Sequence, residues 1–204
     1  LVFTNLHKEH IESHGSYEKY AAAKLRIAKE LVTSTKRPRA IIANADDTAS
    51  APYLALAVEK NMPFSYQEAT HVLLRPGAVS FVYQALTFDI NLPGSFSIMN
   101  ALAVIKVCEC IGTPLEKVRD ALKRLERIPG RTERIDEGQG FQVVVDYAHT
   151  PDSLSALYKA YPGRKICVLG NTGGGRDTWK RPAMGKIADE TCEEVILTDE
   201  DPYD

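Results

Sequence analysis

Residues 170–182 read GNTGGGRDTWKRP, three consecutive glycines running into an arginine and an aspartate. Gly170 and Gly175 keep the four-residue gap of the phosphate-binding pattern G-x-x-x-x-G-K-[ST], but Arg176 and Asp177 stand where lysine and a hydroxyl residue belong. Three glycines in a row cost backbone entropy that an ordinary turn does not require, and they let the backbone approach a ligand closely. Arg176 adds a two-pronged donor suited to a carboxylate or a phosphate. The stretch therefore reads as one wall of an anion site, with a degenerate nucleotide loop or a plain turn as the alternatives.

Two further groups carry titratable chemistry. Asp146 and His149 directly follow an apolar run in VVVDYAHTPDS. A carboxylate there suits a ribose and an imidazole can stack on a ligand; the alternative is that Asp146 caps the next helix, a task better suited to Thr150 or Asp152. His7, His10 and His14 lie in HKEHIESH, whose spacing is neither H-E-x-x-H nor H-x-x-E-H and which has no thiolate nearby, so zinc is disfavoured. A single histidine ligand to a hard cation stays open, against a polar loop before a helix.

Lys24 is the most informative single residue. At about 100° per residue, Tyr17, Tyr20, Ala21, Ala28 and Leu31 share its face of a helix, while Lys19, Arg26, Lys29 and Glu30 lie opposite. On an apolar face burial would disfavour the ammonium. The alternative is a lysine that runs its stem along that face and keeps its head in water.

The elements that position these residues follow from pattern. LVFTNL reads as a strand, and HGSYEKYAAAKLRIAKELV as a helix capped by Ser16 with Glu18 in its first turn. RAIIANADD reads as a buried strand entering a polar loop, and residues 62–92 as irregular β structure. SIMNALAVIKVCECIG is a helix with Ile98, Ala101, Leu102, Ile105 and Cys108 on one face. TPLEKVRDALKRLERIPG follows, with Thr113 and Glu116 as a capping box, Pro114 at the first helical position and Pro129-Gly130 as its stop. FQVVVD, KICVL and EVILT then alternate with two helix-length segments, a β-α-β-α-β pattern that implies a parallel sheet. A boundary near residue 130 divides the chain into 1–130 and 131–204. Ligands of such sheets sit beyond the carboxyl ends of the strands, where DYAHTPDS, GNTGGGRDTWKRP and TDEDPYD all fall.

Composition bounds the function. The 204 residues are 44% hydrophobic and 25% charged with a net charge of −2, an ordinary globular balance with no basic stripe for nucleic acid. No apolar run approaches the roughly 20 residues that span a bilayer. The four cysteines form no C-x-x-C pair, so we expect free thiols, a cytoplasmic protein and a monomer. An opening strand without an initiator Met, and an end just past another strand, lead us to expect a piece of a longer chain.

FTNLHKEHIESHGSYEKYAAAK, NADD, LPGSFSIMNALA, PGRTERID, VDYAHTPDS and GGGRDTWKRPAMG occur in the order seen in Mur ligases, and nearly the whole chain resembles that family. Within it the resemblance is strongest to the ligases that add the third residue of the peptidoglycan stem peptide. Folylpolyglutamate synthases and cyanophycin synthetase share the architecture but typically carry asparagine where Thr150 stands. An amino-acid ligase of that kind is the alternative, along with a non-catalytic Rossmann-like binding module and a histidine-based metallohydrolase. The resemblance implies an α/β fold: the second part of a central P-loop-type ATPase domain over 1–130, then the start of a Rossmann-like C-terminal domain over 131–204. The phosphate loop itself would precede Leu1.

The resemblance also implies ATP and Mg2+ as cofactors and, as substrates, the UDP-N-acetylmuramoyl dipeptide and a free amino acid, with no nucleic-acid or membrane partner. By position, His10 matches a magnesium ligand and Lys24 the lysine that takes up CO2 to become a carbamate. Asn100, Arg131, Asp146 and His149 match residues around ATP, and Arg176 the arginine that grips a carboxylate of the incoming amino acid. The implied reaction runs through an acyl phosphate, which the amino group then attacks. Two departures stand out: Ser97 replaces the usual asparagine, and Glu200-Asp201-Pro202-Tyr203 replaces the D-N-P-R of diaminopimelate enzymes. Losing that arginine removes a charge-assisted contact of about 1.5–3 kcal/mol. Asp201, with acidic neighbours, would favour a basic acceptor such as L-lysine over meso-diaminopimelate.

Overall fold

A computed structural model of the chain describes residues 1–171 and 177–199. The first half is organised around a parallel sheet in the order β1 (Val2–Phe3), β2 (Ala40–Asn44), β3 (Lys60–Phe64). The period of two along β2 sends its side chains to opposite faces. Ile41 and Ala43 pack with Phe3, Tyr20, Ala28 and Tyr53 on one side, and Ile42 packs with Phe64, Phe81 and Leu102 on the other. Both faces of the sheet are therefore covered, as a parallel sheet requires.

A short helix α1 (Ile11–His14) leads into α2 (Tyr17–Thr33), which covers the first face. Ser16 caps α2 as expected, its hydroxyl accepting the Lys19 amide at 3.2 Å. After β2 comes the one-turn α3 (Ala51–Leu54). The irregular β region resolves into an antiparallel sheet, β4 (Thr70–Arg75), β5 (Ala78–Tyr83) and β6 (Leu86–Ile90). Val79, Phe81 and Tyr83 alternate inward along β5, and Phe81 stacks on its cross-strand partner Phe88 at 5.4 Å. Helix α4 (Ser95–Cys110) fills the space between the two sheets with Ile98, Ala101, Leu102 and Ile105 buried.

Helix α5 (Leu115–Lys123) is shorter than its sequence suggests at both ends. The expected Thr113–Glu116 capping box is absent, because the Thr113 amide is spent closing α4, donating to the Cys108 carbonyl at 2.9 Å. Pro114 takes the N-cap position instead, with an extended ψ of 136° and no side-chain cap. The helix stops at Lys123 rather than at Pro129-Gly130: Ile128 bridges Arg131 across that Pro-Gly pair, and the residue before a proline favours extended backbone.

The last third holds β7 (Glu133–Ile135), β8 (Val143–Val145), α6 (Pro151–Ala160), β9 (Ile166–Leu169), α7 (Lys180–Thr191) and β10 (Glu194–Leu197). Strands β9 and β10 pair in parallel, as the β-α-β pattern implies. Among the described residues β8 does not join them; it pairs antiparallel with β7, to which a short turn connects it. A cavity of about 450 Å³ separates β8 from β9, lined by Val144, Leu154, Tyr158, Cys167 and Val168. All four cysteines are free and Cys167 is buried against the Tyr158 hydroxyl. No described helix is long and apolar enough to cross a membrane.

Candidate active site

The loop before α2 and the loops of the last third meet. Glu9 accepts from His149 Nε2 at 2.7 Å, and the Tyr147 carbonyl stands 2.9 Å from His149 Nδ1. Both ring nitrogens thus face oxygen atoms of other residues. His7 Nδ1 lies 3.4 Å from the Asp152 carboxylate at the start of α6. Thr150 caps that helix, with Ser153 completing the box, so Asp146 is left for other work.

Asp146 ties two segments together. It accepts the Thr132 amide at 2.6 Å and the Ala148 amide at 2.8 Å. This places Arg131 beside the histidine loop, its guanidinium 4.7 Å over the Tyr147 ring, while Tyr147 and His149 meet edge to face at 4.9 Å. Arg131, Asp146 and His149 are therefore neighbours, as their shared assignment to one ligand requires. Asn100 lies exposed on α4, and no described residue hydrogen-bonds to its side chain. Ser97 is buried near the same helix start, where its hydroxyl donates to the Pro93 carbonyl at 2.6 Å.

His10 and Lys24 flank Tyr20. The His10 ring is 5.9 Å from the Tyr20 ring, and the Lys24 ammonium 5.5 Å over its face. The apolar face expected for α2 is present, with Tyr20 and Ala28 buried and Tyr17, Ala21 and Leu31 packed beside them. Burial of the Lys24 head is not: the residue is exposed. Four methylenes carry the ammonium from that face back to water, the geometry of the alternative reading.

Among the described residues no three His, Cys, Asp or Glu side chains converge into a metal cage. The zinc alternative thus gains no ligand set from them. A magnesium ion needs less, since it keeps several waters and takes phosphate oxygens with one or two protein ligands. His10 fits that role: its Nδ1 and Nε2 stand 3.8 and 3.9 Å from the carboxylates of Asp177 and Glu9, beyond hydrogen-bond reach, and its side chain is about half exposed.

Asp177, Glu9 and Glu12 have no counterpart among the residues singled out from sequence. Asp177 is 3% exposed and accepts the amides of His10 at 2.9 Å and Ile11 at 3.3 Å, together with the Trp179 indole N–H at 3.3 Å. Glu12 reciprocates by accepting the Asp177 amide at 3.0 Å. Burial raises the Asp177 carboxyl pKa and the hydrogen bonds it accepts from His10, Trp179 and Ile11 lower it, and the group is held below its usual range. Partners more than 160 positions apart leave no local signal; an acid two positions after the Gly173–Gly175 run is the one feature of the sequence beside it. Arg176 and Asp201 lie outside the described residues.

Known proteins match the chain over both of its parts. Residues 1–108 match the Mur ligase middle domain, and residues 130–204 match the Mur ligase glutamate ligase domain. A UDP-N-acetylmuramyl-tripeptide synthetase of Roseiflexus sp. (strain RS-1) is 36% identical over 98% of this chain and 43% of its own length. A UDP-N-acetylmuramoyl-L-alanyl-D-glutamate--2,6-diaminopimelate ligase of Thermosynechococcus vestitus is 38% identical with the same coverage of both chains. The chain thus spans less than half the length of these curated relatives. Among solved structures, MurF from Acinetobacter baumannii superposes with a TM-score of 0.76 at 18% identity, over 96% of this chain and 46% of that one, which speaks for the fold. A 2,6-diaminopimelate ligase structure superposes with a TM-score of 0.59 at 28% identity, over 98% of this chain and 44% of that one.

Proposed function

Because this chain belongs to the Mur ligase family, we propose that it forms part of an ATP-dependent ligase that adds the third residue to the UDP-N-acetylmuramoyl dipeptide. The supporting observation is the meeting of the His10 loop with Arg131, Asp146 and His149, one from each side of the boundary we place near residue 130. In this reading Arg131, Asp146, His149 and Asn100 bind and orient ATP. Magnesium, when bound, neutralises charge on the transferring phosphoryl group, and His10 would hold it. The dipeptide carboxylate attacks the γ-phosphate and ADP leaves; the amino group of the third residue then attacks the resulting acyl phosphate, losing a proton and expelling inorganic phosphate. Arg176 grips the carboxylate of that amino acid.

Lys24 is assigned to carbamylation. The family match by position supports this: the neutral amine adds CO2 and releases a proton, and the carbamate would replace a cation with an oxygen donor over Tyr20, the ring that His10 also meets. The acidic run around Asp201, without the D-N-P-R arginine, supports a basic third residue such as L-lysine.

The test uses the full-length enzyme with ATP, Mg2+, the UDP-linked dipeptide, and L-lysine and meso-diaminopimelate at equal concentration. Ligation of either amino acid supports the third-residue reading, and a preference for meso-diaminopimelate overturns the assignment of a basic acceptor. Lys24→Ala is expected to lose at least about 100-fold in rate, roughly 2.7 kcal/mol, with partial rescue by short carboxylic acids. Full activity in Lys24→Ala defeats the carbamate assignment.

A further inference from the structure

Two non-glycine residues with left-handed backbone meet where the halves of the chain touch: His10, with φ of 54°, and Asp177, with φ of 45°. Such a conformation is disfavoured for a residue that carries a Cβ and persists where its surroundings over-determine it. The surroundings here are specific. The Asp177 carboxylate accepts the consecutive amides of His10 and Ile11, and Glu12 accepts the Asp177 amide in return. The indole N–H of Trp179 orients the same carboxylate from within its own turn. Among the described residues, the hydrogen bond that holds the His10 amide from outside its own loop comes from this buried carboxylate. The His10 ring meanwhile keeps its nitrogens out of hydrogen-bond reach of Asp177 and Glu9.

We propose that Asp177 is a positioning residue for His10: by holding two consecutive amides it locks His10 in the left-handed conformation that aims the imidazole at the metal site. The inference rests on the reading of His10 as a metal ligand. It makes the metal site complete only when the Asp177 turn is docked on the His10 loop. It also couples the ligand to the chain that directly follows Arg176.

The experiment uses the full-length enzyme and two readouts other than turnover. The first is hydrogen exchange of the segment 7–14. Its amides are expected to be protected in the native enzyme and to exchange faster in Asp177→Ala, with Asp177→Asn between them because its carbonyl still accepts one amide. The second is Mn2+ affinity in the presence of a non-hydrolysable ATP analogue, read by electron paramagnetic resonance. Partners that orient a metal ligand typically contribute 10- to 100-fold to affinity, so Asp177→Ala should weaken Mn2+ about tenfold. Combined with His10→Ala it should weaken Mn2+ no further than His10→Ala alone, because Asp177 acts through that ring. Additive losses would mean a general structural role and overturn the proposal. So would a native Mn2+ affinity in Asp177→Ala when His10→Ala is impaired. If His10→Ala itself binds Mn2+ normally, the ligand reading falls and the inference with it, whereas failure of ligation in a wild-type enzyme with normal Mn2+ binding counts against the proposed function alone. Should Asp177→Ala not fold, Asp177→Asn carries the same comparison.

Discussion

The two parts of the molecule on either side of residue 130 are built differently. The first is closed: β2 is covered on both faces, and Phe64, Phe81, Phe88, Ile98 and Leu102 are each no more than 2% exposed. The second is open within the 204 residues: Ile166 and Val168 on β9, and Ile196 and Leu197 on β10, are more than half exposed there. Its buried residues include Leu154, Met184 and Ala188, which line the seam between α6 and α7. The candidate site sits where the closed part meets the open one. The first half carries Lys24 on α2 and His10 on the loop before it, while the second half brings His149 to Glu9 and Asp177 to His10 through polar contacts. Ligand binding at such a junction can be coupled to docking, which a site inside one core could not offer.

The largest expected effect probes the closed core. Phe81→Ala removes a fully buried ring that stacks on Phe88, and core Phe→Ala changes cost about 3–5 kcal/mol. Val168→Ala, at a site 68% exposed in the open part, should stay within about 0.5 kcal/mol. Denaturant midpoints of the two variants measure the contrast directly. Similar losses for both would mean that β9 is as well packed as β5, and the comparison would break.

An intermediate effect tests whether polar docking joins the parts. Glu9 and His149 are paired at 2.7 Å, with side-chain exposures of 20% and 40%. For a pair that wet, a double-mutant cycle with Glu9→Gln and His149→Asn should give a coupling of about 0.5–1 kcal/mol. Thermal unfolding of the nucleotide-free full-length enzyme reports it. A coupling of zero would leave Asp177 and its amide partners as the connection that matters.

Which features were readable from sequence follows the same divide. Helix α2 and its Ser16 cap, the inward face of α4 and the buried strand β2 all rest on short-range pattern, and they are present. The Thr113 cap fails because its amide was claimed by the end of the preceding helix, a tertiary fact invisible to local spacing. The Lys24 face was read correctly, but periodicity places a Cα and says nothing of where four methylenes carry the charge. At the site, the histidine and aspartate next to strand ends were visible as unusual polar residues after apolar runs. Glu9, Glu12 and Asp177 were not, because their meaning exists only once residues more than 130 positions apart are brought together.

The smallest effect sharpens the comparison from the closed side, at its edge far from the site. Glu59, beside β3, receives the Arg39 amide at 3.0 Å and the Arg39 guanidinium on both carboxylate oxygens, with Arg37 Nε 3.0 Å away. The hydrogen bonds from Arg39 are the main cause that lowers the Glu59 carboxyl from 4.5 to about 2. A group whose pKa is depressed by folding stabilises the fold above its unfolded value and loses that contribution as pH falls through the folded one. The Glu59 contribution is therefore fully present above pH 4.5 and fades between pH 4.5 and about 2. The pair is solvent-exposed, so the effect is modest and screened by salt. Melting temperatures of the native enzyme and Glu59→Gln should differ by a few degrees near neutral pH and converge toward pH 2. Parallel curves across that range would show that the pair contributes nothing pH-dependent to the closed half.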